Sequence, residues 1–117
     1  MTRHEMHLNA RYFLKIKNGE KDIEVRLYDE KRRRIAAGDE IVFINRDGGE
    51  TFVRVVAGLV LCADFDGLVR IVGPARCGWD DALRTSADCA ADMEKYYSKE
   101  ETDKYGAVGI VLEPQGD

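Results

Sequence analysis

Asp47-Gly48-Gly49 lies between two runs of strand-forming residues, Glu40 to Asn45 and Thr51 to about Leu61, and no other feature constrains the fold as much. Tight hairpin turns need positive φ, which glycine adopts without a Cβ penalty. The second run is long and rich in valine, and Gly58 within it predicts a bulge. A hairpin with one long, bent strand is therefore expected at the centre of the molecule.

Strand and helix signals flank this hairpin. His4 to Leu8 alternates polar and apolar residues and predicts a short strand with Met6 and Leu8 facing inward. Asn9 can cap a helix running to Asn18, with Tyr12, Phe13 and Ile16 as its buried stripe, and Gly19 can end it. A strand over 22–27 follows, then a short helical turn from Asp29 to Arg34, then a Gly38-Asp39 turn. Residues 65–72 read equally as helix or strand. Helices are expected over 79–83 and 86–97. Ser98 and Glu101 form a capping box for another that ends at Gly106, and Ala107 to Leu112 makes a last strand. The order β-α-β-β-β-α-α-β describes an α+β fold, a small mixed sheet curved like a barrel with flanking helices.

At 117 residues, with 34% charged and 44% apolar, residues 1–117 form one domain large enough for a core of its own. No apolar run approaches the roughly 20 residues that cross a bilayer, and the polar start lacks the apolar segment of a signal peptide. The cytoplasm is the expected location, and a monomer the default state. A net charge of −4 disfavours indiscriminate binding to nucleic acid, yet the charge is uneven. Residues 1–60 carry 12 Lys and Arg against 10 Asp and Glu, and residues 61–117 carry 6 against 12. That asymmetry is compatible with one basic surface on an acidic body. Cys62, Cys77 and Cys89 show no Cys-x-x-Cys spacing and lie far in sequence from His4 and His7. They are expected to be reduced thiols packed as small apolar residues, with neither a metal nor a cofactor.

Chemistry concentrates in Gly19-Glu20-Lys21-Asp22-Ile23-Glu24-Val25-Arg26. In a strand, Ile23, Val25 and Leu27 share one face while Asp22, Glu24 and Arg26 share the other, with Lys21 at the strand's mouth. Exposed, the Glu24–Arg26 pair would stabilise by about 0–1 kcal/mol. In a cleft, Lys21 and Glu24 could handle protons while the planar fork of Arg26 grips a carbonyl or phosphate.

Gly19-x-Lys21-x-x-Glu24-x-Arg26, with Gly38-Asp39-x-Ile41-x-Phe43 and Tyr105-Gly106-x-Val108-Gly109-Ile110, resembles the ASCH domain family of the PUA-like superfamily, in its small bacterial single-domain form. The resemblance spans nearly the whole chain and is weakest over 62–95. It implies a small PUA-like β-barrel with a cleft that takes RNA or a modified nucleoside, lined by Lys21, Glu24 and Arg26. It also brings an alternative, a small hydrolase acting on acylated nucleosides such as acetylated cytidine, or a ribonuclease. If the chain is an enzyme, Lys21, Glu24 and Arg26 are its catalytic candidates. The relatives that remove the acetyl group carry Lys-Thr-x-Thr, whereas here Glu24 stands where the second threonine would be.

For a nucleic-acid ligand the candidate contacts are Lys21, Arg26, the basic run Lys31, Arg32, Arg33 and Arg34, and Tyr97 as a base-stacking ring. Tyr96 and Tyr105 could also stack, and Trp79 could rim a pocket or staple a helix. The acidic residues Asp80, Asp81, Asp88, Asp92 and Glu94 read as a solvated helix face without the spacing of a calcium loop.

Overall fold

The computed structural model describes residues 1–79 and 84–115. Its elements run β1 (Arg3–Leu8), α1 (Ala10–Lys17), β2 (Ile23–Leu27), β3 (Glu40–Asn45), β4 (Thr51–Cys62), α2 (Phe65–Val72), α3 (Ser86–Met93), α4 (Lys99–Tyr105) and β5 (Ala107–Leu112). Single 3-10 turns occur at Arg32–Arg34 and Ala75–Cys77.

The hairpin forms as its turn residues dictate. β3 and β4 pair antiparallel, with Glu40 opposite Val55 and Ile44 opposite Thr51, and Gly48 and Gly49 take φ of 103° and 79°. β4 serves two partners. Its first half pairs with β3 and its second with β5, and the register slips between Val56 and Gly58 where one pairing gives way to the other. An extra residue at such a slip bends the strand and increases its twist. The strands lie in the order β1-β3-β4-β5-β2, with β1–β3 parallel and the other pairs antiparallel. The result is an α+β fold built on a mixed sheet curved into a half-barrel.

Two apolar clusters anchor it. One packs Phe13 and Ile16 of α1 against Met6, Leu8, Ile41, Phe43 and Ile110 of the sheet. The other packs Phe65, Leu68 and Val69 of α2 and Cys89 and Met93 of α3 against Ile23 and Val25 of β2. Each large side chain so buried contributes roughly 1.5–3 kcal/mol of transfer free energy. A groove runs between α1 and the α3 end of the second cluster, and the start of β2 lies within it.

Several expectations are corrected. Residues 65–72 are helical because Asp64 accepts a hydrogen bond from the Gly67 amide and Phe65, Leu68 and Val69 recur at helical spacing on the buried side. The helix expected over 86–97 stops at Met93, whose carbonyl accepts from the amides of both Tyr96 and Tyr97 in a tight turn before Ser98 caps α4. In the helix expected over 79–83, Trp79 is not helical, and residues 80–83 lie outside the described residues. Within α1, Lys15 joins Phe13 and Ile16 on the buried stripe while Tyr12 is only half-buried. Among the described residues, no helix is long and apolar enough to cross a membrane.

Candidate functional site

Helix α1 begins where Asn9 Oδ1 accepts from the Tyr12 amide, and ends before Gly19, which sits at φ 81°. That turn delivers Lys21 to the mouth of β2 at 6% exposure. Glu24, at 3% exposure, accepts from Lys21 Nζ at 2.8 Å through Oε1 and from Arg26 Nε at 2.7 Å through Oε2. The guanidinium of Arg26 also reaches across to β1, where Nη2 donates to the His7 carbonyl at 3.3 Å. The three signature residues thus form one continuous row, with Lys21 and Glu24 buried and Arg26 partly buried.

The electrostatics of the row follow from two cations sharing one carboxylate. Burial pushes the Glu24 carboxyl upward, but Lys21 and Arg26 together outweigh it and hold the pKa at about 2. Burial would likewise lower the Arg26 pKa, yet Glu24 and Tyr97 leave it raised. Both Glu24 oxygens are occupied and the group stays ionised at neutral pH, so it is a poor proton acceptor and a strong anchor. Lys21 Nζ lies 4.8 Å from the centre of the Tyr12 ring, a cation–π contact. An ammonium has three N–H donors. Among the described residues, Glu24 and the ring leave Lys21 an N–H to offer an incoming acceptor.

The segment after α2 braces this row. Arg76 holds Asp22 through two hydrogen bonds at 2.9 and 3.0 Å, and the Asp22 amide donates to the Arg76 carbonyl. Lys15 Nζ donates to the Gly78 carbonyl at 2.7 Å and ties the segment to α1. Gly78 takes φ 96°, and a Cβ there would come within 2.9 Å of Lys21 Cδ and 3.2 Å of the Tyr12 ring. Glycine is required on both grounds.

Above the row opens a cleft of about 770 Å³, within the roughly 300–1,000 Å³ range usual for small-ligand sites. Its floor is Lys21, Glu24 and Arg26, and its walls include Tyr12, Trp79, Tyr96 and Tyr97. The indole N–H of Trp79 donates to Asp92 Oδ2 at 2.9 Å, and Arg84 Nη2 donates to the same oxygen at 2.6 Å. Burial raises the Asp92 pKa, but these two bonds leave it lowered overall. Cys77 also lines the cleft. Burial pushes its thiol up to about 12, against the lowering effect of Lys21, so it is no nucleophile at neutral pH.

The sequence candidates separate cleanly. Lys21, Glu24, Arg26 and Tyr97 line the cleft, and Lys31, Arg32, Arg33 and Arg34 do not. Within that basic run, Arg32 pairs with Asp29 at 2.8 Å, and Arg33 donates to the Tyr105 carbonyl and lies 4.3 Å from the Tyr28 ring centre. Tyr105 lies outside the cleft as well, beside Lys104. Tyr97 is stacked on Phe65 with ring centres 5.9 Å apart, while Tyr96 is exposed. Of the acidic residues expected on a solvated helix face, Asp92 turns into the cleft instead and Asp88 closes a capping box with Thr85. Asp80 and Asp81 lie outside the described residues. Reading the sequence alone missed Arg11, Tyr12, Arg46, Arg84 and Lys95 as lining residues. Only a helical wheel aligned to the cleft would have turned up Tyr12, which falls at the edge of the α1 stripe. Among the described residues, no group of three or more His, Cys, Asp or Glu could hold a metal ion, and the three cysteines are free thiols.

Comparison with known proteins bears on the family and the fold. The family model for the ASCH domain matches residues 6–115. The crystal structure of the hypothetical protein PH0355, from Pyrococcus, is similar at 33% identity and a TM-score of 0.85, covering 97% of this chain and 100% of that one. The solution NMR structure of protein PF0455 from Pyrococcus furiosus is similar at 30% identity and a TM-score of 0.77, covering 99% and 100% of the two chains. No curated protein matches.

Proposed function

The chain belongs to the ASCH domain family, and from that premise we propose that its cleft binds RNA or a nucleoside-like ligand. Lys21 and Arg26 make the polar contacts, and Glu24 is the anion that holds both in place. The observation that carries this reading is the ion-paired Lys21–Glu24–Arg26 row on the floor of a cleft walled by Tyr12, Trp79, Tyr96 and Tyr97. Cationic N–H donors at the base of an aromatic slot suit a base or sugar whose carbonyl and hydroxyl oxygens need donors. Stacking on such rings is worth roughly 1–3 kcal/mol per base in single-strand binders.

Binding is preferred here to hydrolysis of acylated nucleosides or of RNA. A carboxylate held at about pKa 2 by two cations accepts a proton poorly, and a thiol at about 12 attacks poorly. The basic run 31–34 does not line the cleft.

Trp79 is the only tryptophan of the chain and a wall of the cleft, so its fluorescence reports binding. Titration with the four ribonucleosides and a short single-stranded RNA should quench or shift it. Lys21→Ala and Arg26→Ala should each weaken binding by about tenfold or more while circular dichroism shows the fold intact. Wild-type affinity in both variants at the same salt removes the proposal. Mass spectrometry of acetylated cytidine with the wild-type protein runs in parallel, and turnover that depends on Lys21 would replace binding with catalysis.

A further inference from the structure

Among the described residues, the lining of the cleft is mostly cationic, unlike the molecule as a whole: Lys21, Arg26, Arg46, Arg84 and Lys95 stand beside the two carboxylates Glu24 and Asp92, in a chain whose net charge is −4. Each carboxylate is shared by two cations. Glu24 takes Lys21 and Arg26, and Asp92 takes Arg84 at 2.6 Å and Lys95 at 3.6 Å. Among the described residues, one positive charge is therefore left over in each of these two groups. At the floor it sits on side chains only 6% and 17% exposed, where solvent screens it weakly.

Arg46 adds to this excess. Its exposed side chain makes no ion pair or hydrogen bond among the described residues, although it lines the cleft. Its position is fixed by its backbone, because the Arg46 amide donates to the Leu8 carbonyl at 2.9 Å. The neighbouring His7 carbonyl accepts from Arg26 Nη2. Arg46 at the rim and Arg26 at the floor are thus tied to adjacent residues at the end of β1. A neutral nucleoside would leave the surplus charge unbalanced, whereas a phosphate would balance it with acceptor oxygens that suit a planar guanidinium.

We propose that the cleft takes a phosphorylated nucleotide, with the phosphate held at Arg46 beside the end of β1 and the base directed to the aromatic walls. This rests on the reading of the cleft as a nucleoside site and adds the charge of its ligand. The phosphate can belong to a free mononucleotide or to the 5′ end of an RNA strand.

The test compares the four ribonucleosides with their 5′-monophosphates at one salt concentration, using wild-type protein, Arg46→Gln and Arg70→Gln. Arg70 lies on α2, pairs with Asp66 and does not line the cleft, so its variant removes the same charge elsewhere. At least one monophosphate should bind wild type about tenfold or more tightly than its nucleoside, equivalent to about 1.4 kcal/mol. Arg46→Gln should cut that ratio to about threefold or less, and Arg70→Gln should keep it. Equal affinity of wild type for nucleosides and monophosphates overturns the phosphate subsite but leaves the nucleoside reading standing. A full phosphate advantage in Arg46→Gln also overturns it. Absence of binding by nucleosides, monophosphates and RNA alike removes the nucleoside reading and the subsite with it. Hexanucleotide RNA with a 5′-phosphate or a 5′-hydroxyl separates the sources. A preference for the phosphorylated strand assigns the subsite to strand ends, and indifference alongside the mononucleotide preference assigns it to free nucleotides.

Discussion

Replacing Glu24 by glutamine tests the electrostatic account of the site most directly. The substitution keeps the shape, but leaves buried Lys21 and partly buried Arg26 without the carboxylate they share. Its cost can be reached by two routes. The carboxyl sits at about 2 in the fold against 4.5 for a free glutamate. At about 1.36 kcal/mol for each pH unit of displacement, that gap is about 3 kcal/mol of stability at neutral pH. Deleting one partner of a buried ion pair costs roughly 3–5 kcal/mol in general. The two agree, and for a domain of this size they correspond to a fall of about 12–20 °C in Tm. The pH dependence has a defined sign. A depressed carboxyl stabilises the fold fully above its unfolded value of 4.5, and that contribution is lost as the pH falls through about 2. Glutamine does not titrate, so the advantage of wild type over the variant should be full near neutrality and vanish toward pH 2. Asp39 is also held at about 2, by His4 and by the amides of Thr2 and Ala36. It titrates in both proteins and cancels in the difference. Urea unfolding at a series of pH values measures this directly. A variant within about 1 kcal/mol of wild type near pH 7, or a gap that stays constant into acid, would refute the shared-carboxylate account.

Three further outcomes follow from particular contacts. Gly78→Ala should destabilise by about 1–3 kcal/mol in urea unfolding, through positive φ and the approach to Lys21 and Tyr12, and should also weaken ligand binding; unchanged stability would show that the brace is soft. Iodoacetamide near pH 8, followed by peptide mass spectrometry, should mark half-buried Cys62 before Cys77, whose thiol is pushed up to about 12 by burial; Cys77 reacting first would refute its burial. Ser98→Ala removes the oxygen that accepts from the Glu101 amide and should cost about 1 kcal/mol by chemical denaturation; a loss below about 0.3 kcal/mol would mean that α4 is held by packing alone.

What the sequence made legible follows the range of each signal. The hairpin turn, the Asn9 and Ser98 caps, the Gly19 stop and the Gly58 bulge are decided by residues within a few positions of one another, and each forms where expected. Lys21, Glu24 and Arg26 were legible because strand alternation already places Glu24 and Arg26 on one side. What alternation could not give was burial. β2 pairs with β5 at one edge and is covered by the 3-10 turn at Ala75–Cys77 and by the second apolar cluster, so its polar side is enclosed as well. The elements most poorly read, 65–72 and 86–97, take their form from distant partners: the α2 stripe needs β2 to lie against, and the chain turns after Met93 toward the cleft. Asp92 looked like one acid among several on a helix face. Its role depends on Trp79 and Arg84, thirteen and eight residues away in sequence.

The energetics of the row bear on why the fold keeps it. A buried ion cluster is a weak source of stability, since well-packed apolar side chains of similar volume often do as well or better. Here the cluster is also unbalanced, with one carboxylate for two cations, and so costs more than a neutral pair. Yet the surroundings hold it in place: Gly78 leaves room for the Lys21 stem, Lys15 fixes the Gly78 carbonyl, Arg76 grips Asp22, and Tyr12 faces the ammonium. None of these contacts would be needed to fill the same space with leucine. A fold that enforces a desolvated surplus of positive charge on a cleft floor has placed electrostatic free energy where an electron-rich ligand can recover it. Among the described residues, the sharing of Asp92 by two cations and the absence of an ion pair at Arg46 extend the same condition to other parts of the cleft lining. If the cleft holds a nucleotide as proposed, a ligand that is neutral throughout recovers only part of it, and affinity should follow the charge of the ligand more than the identity of its base.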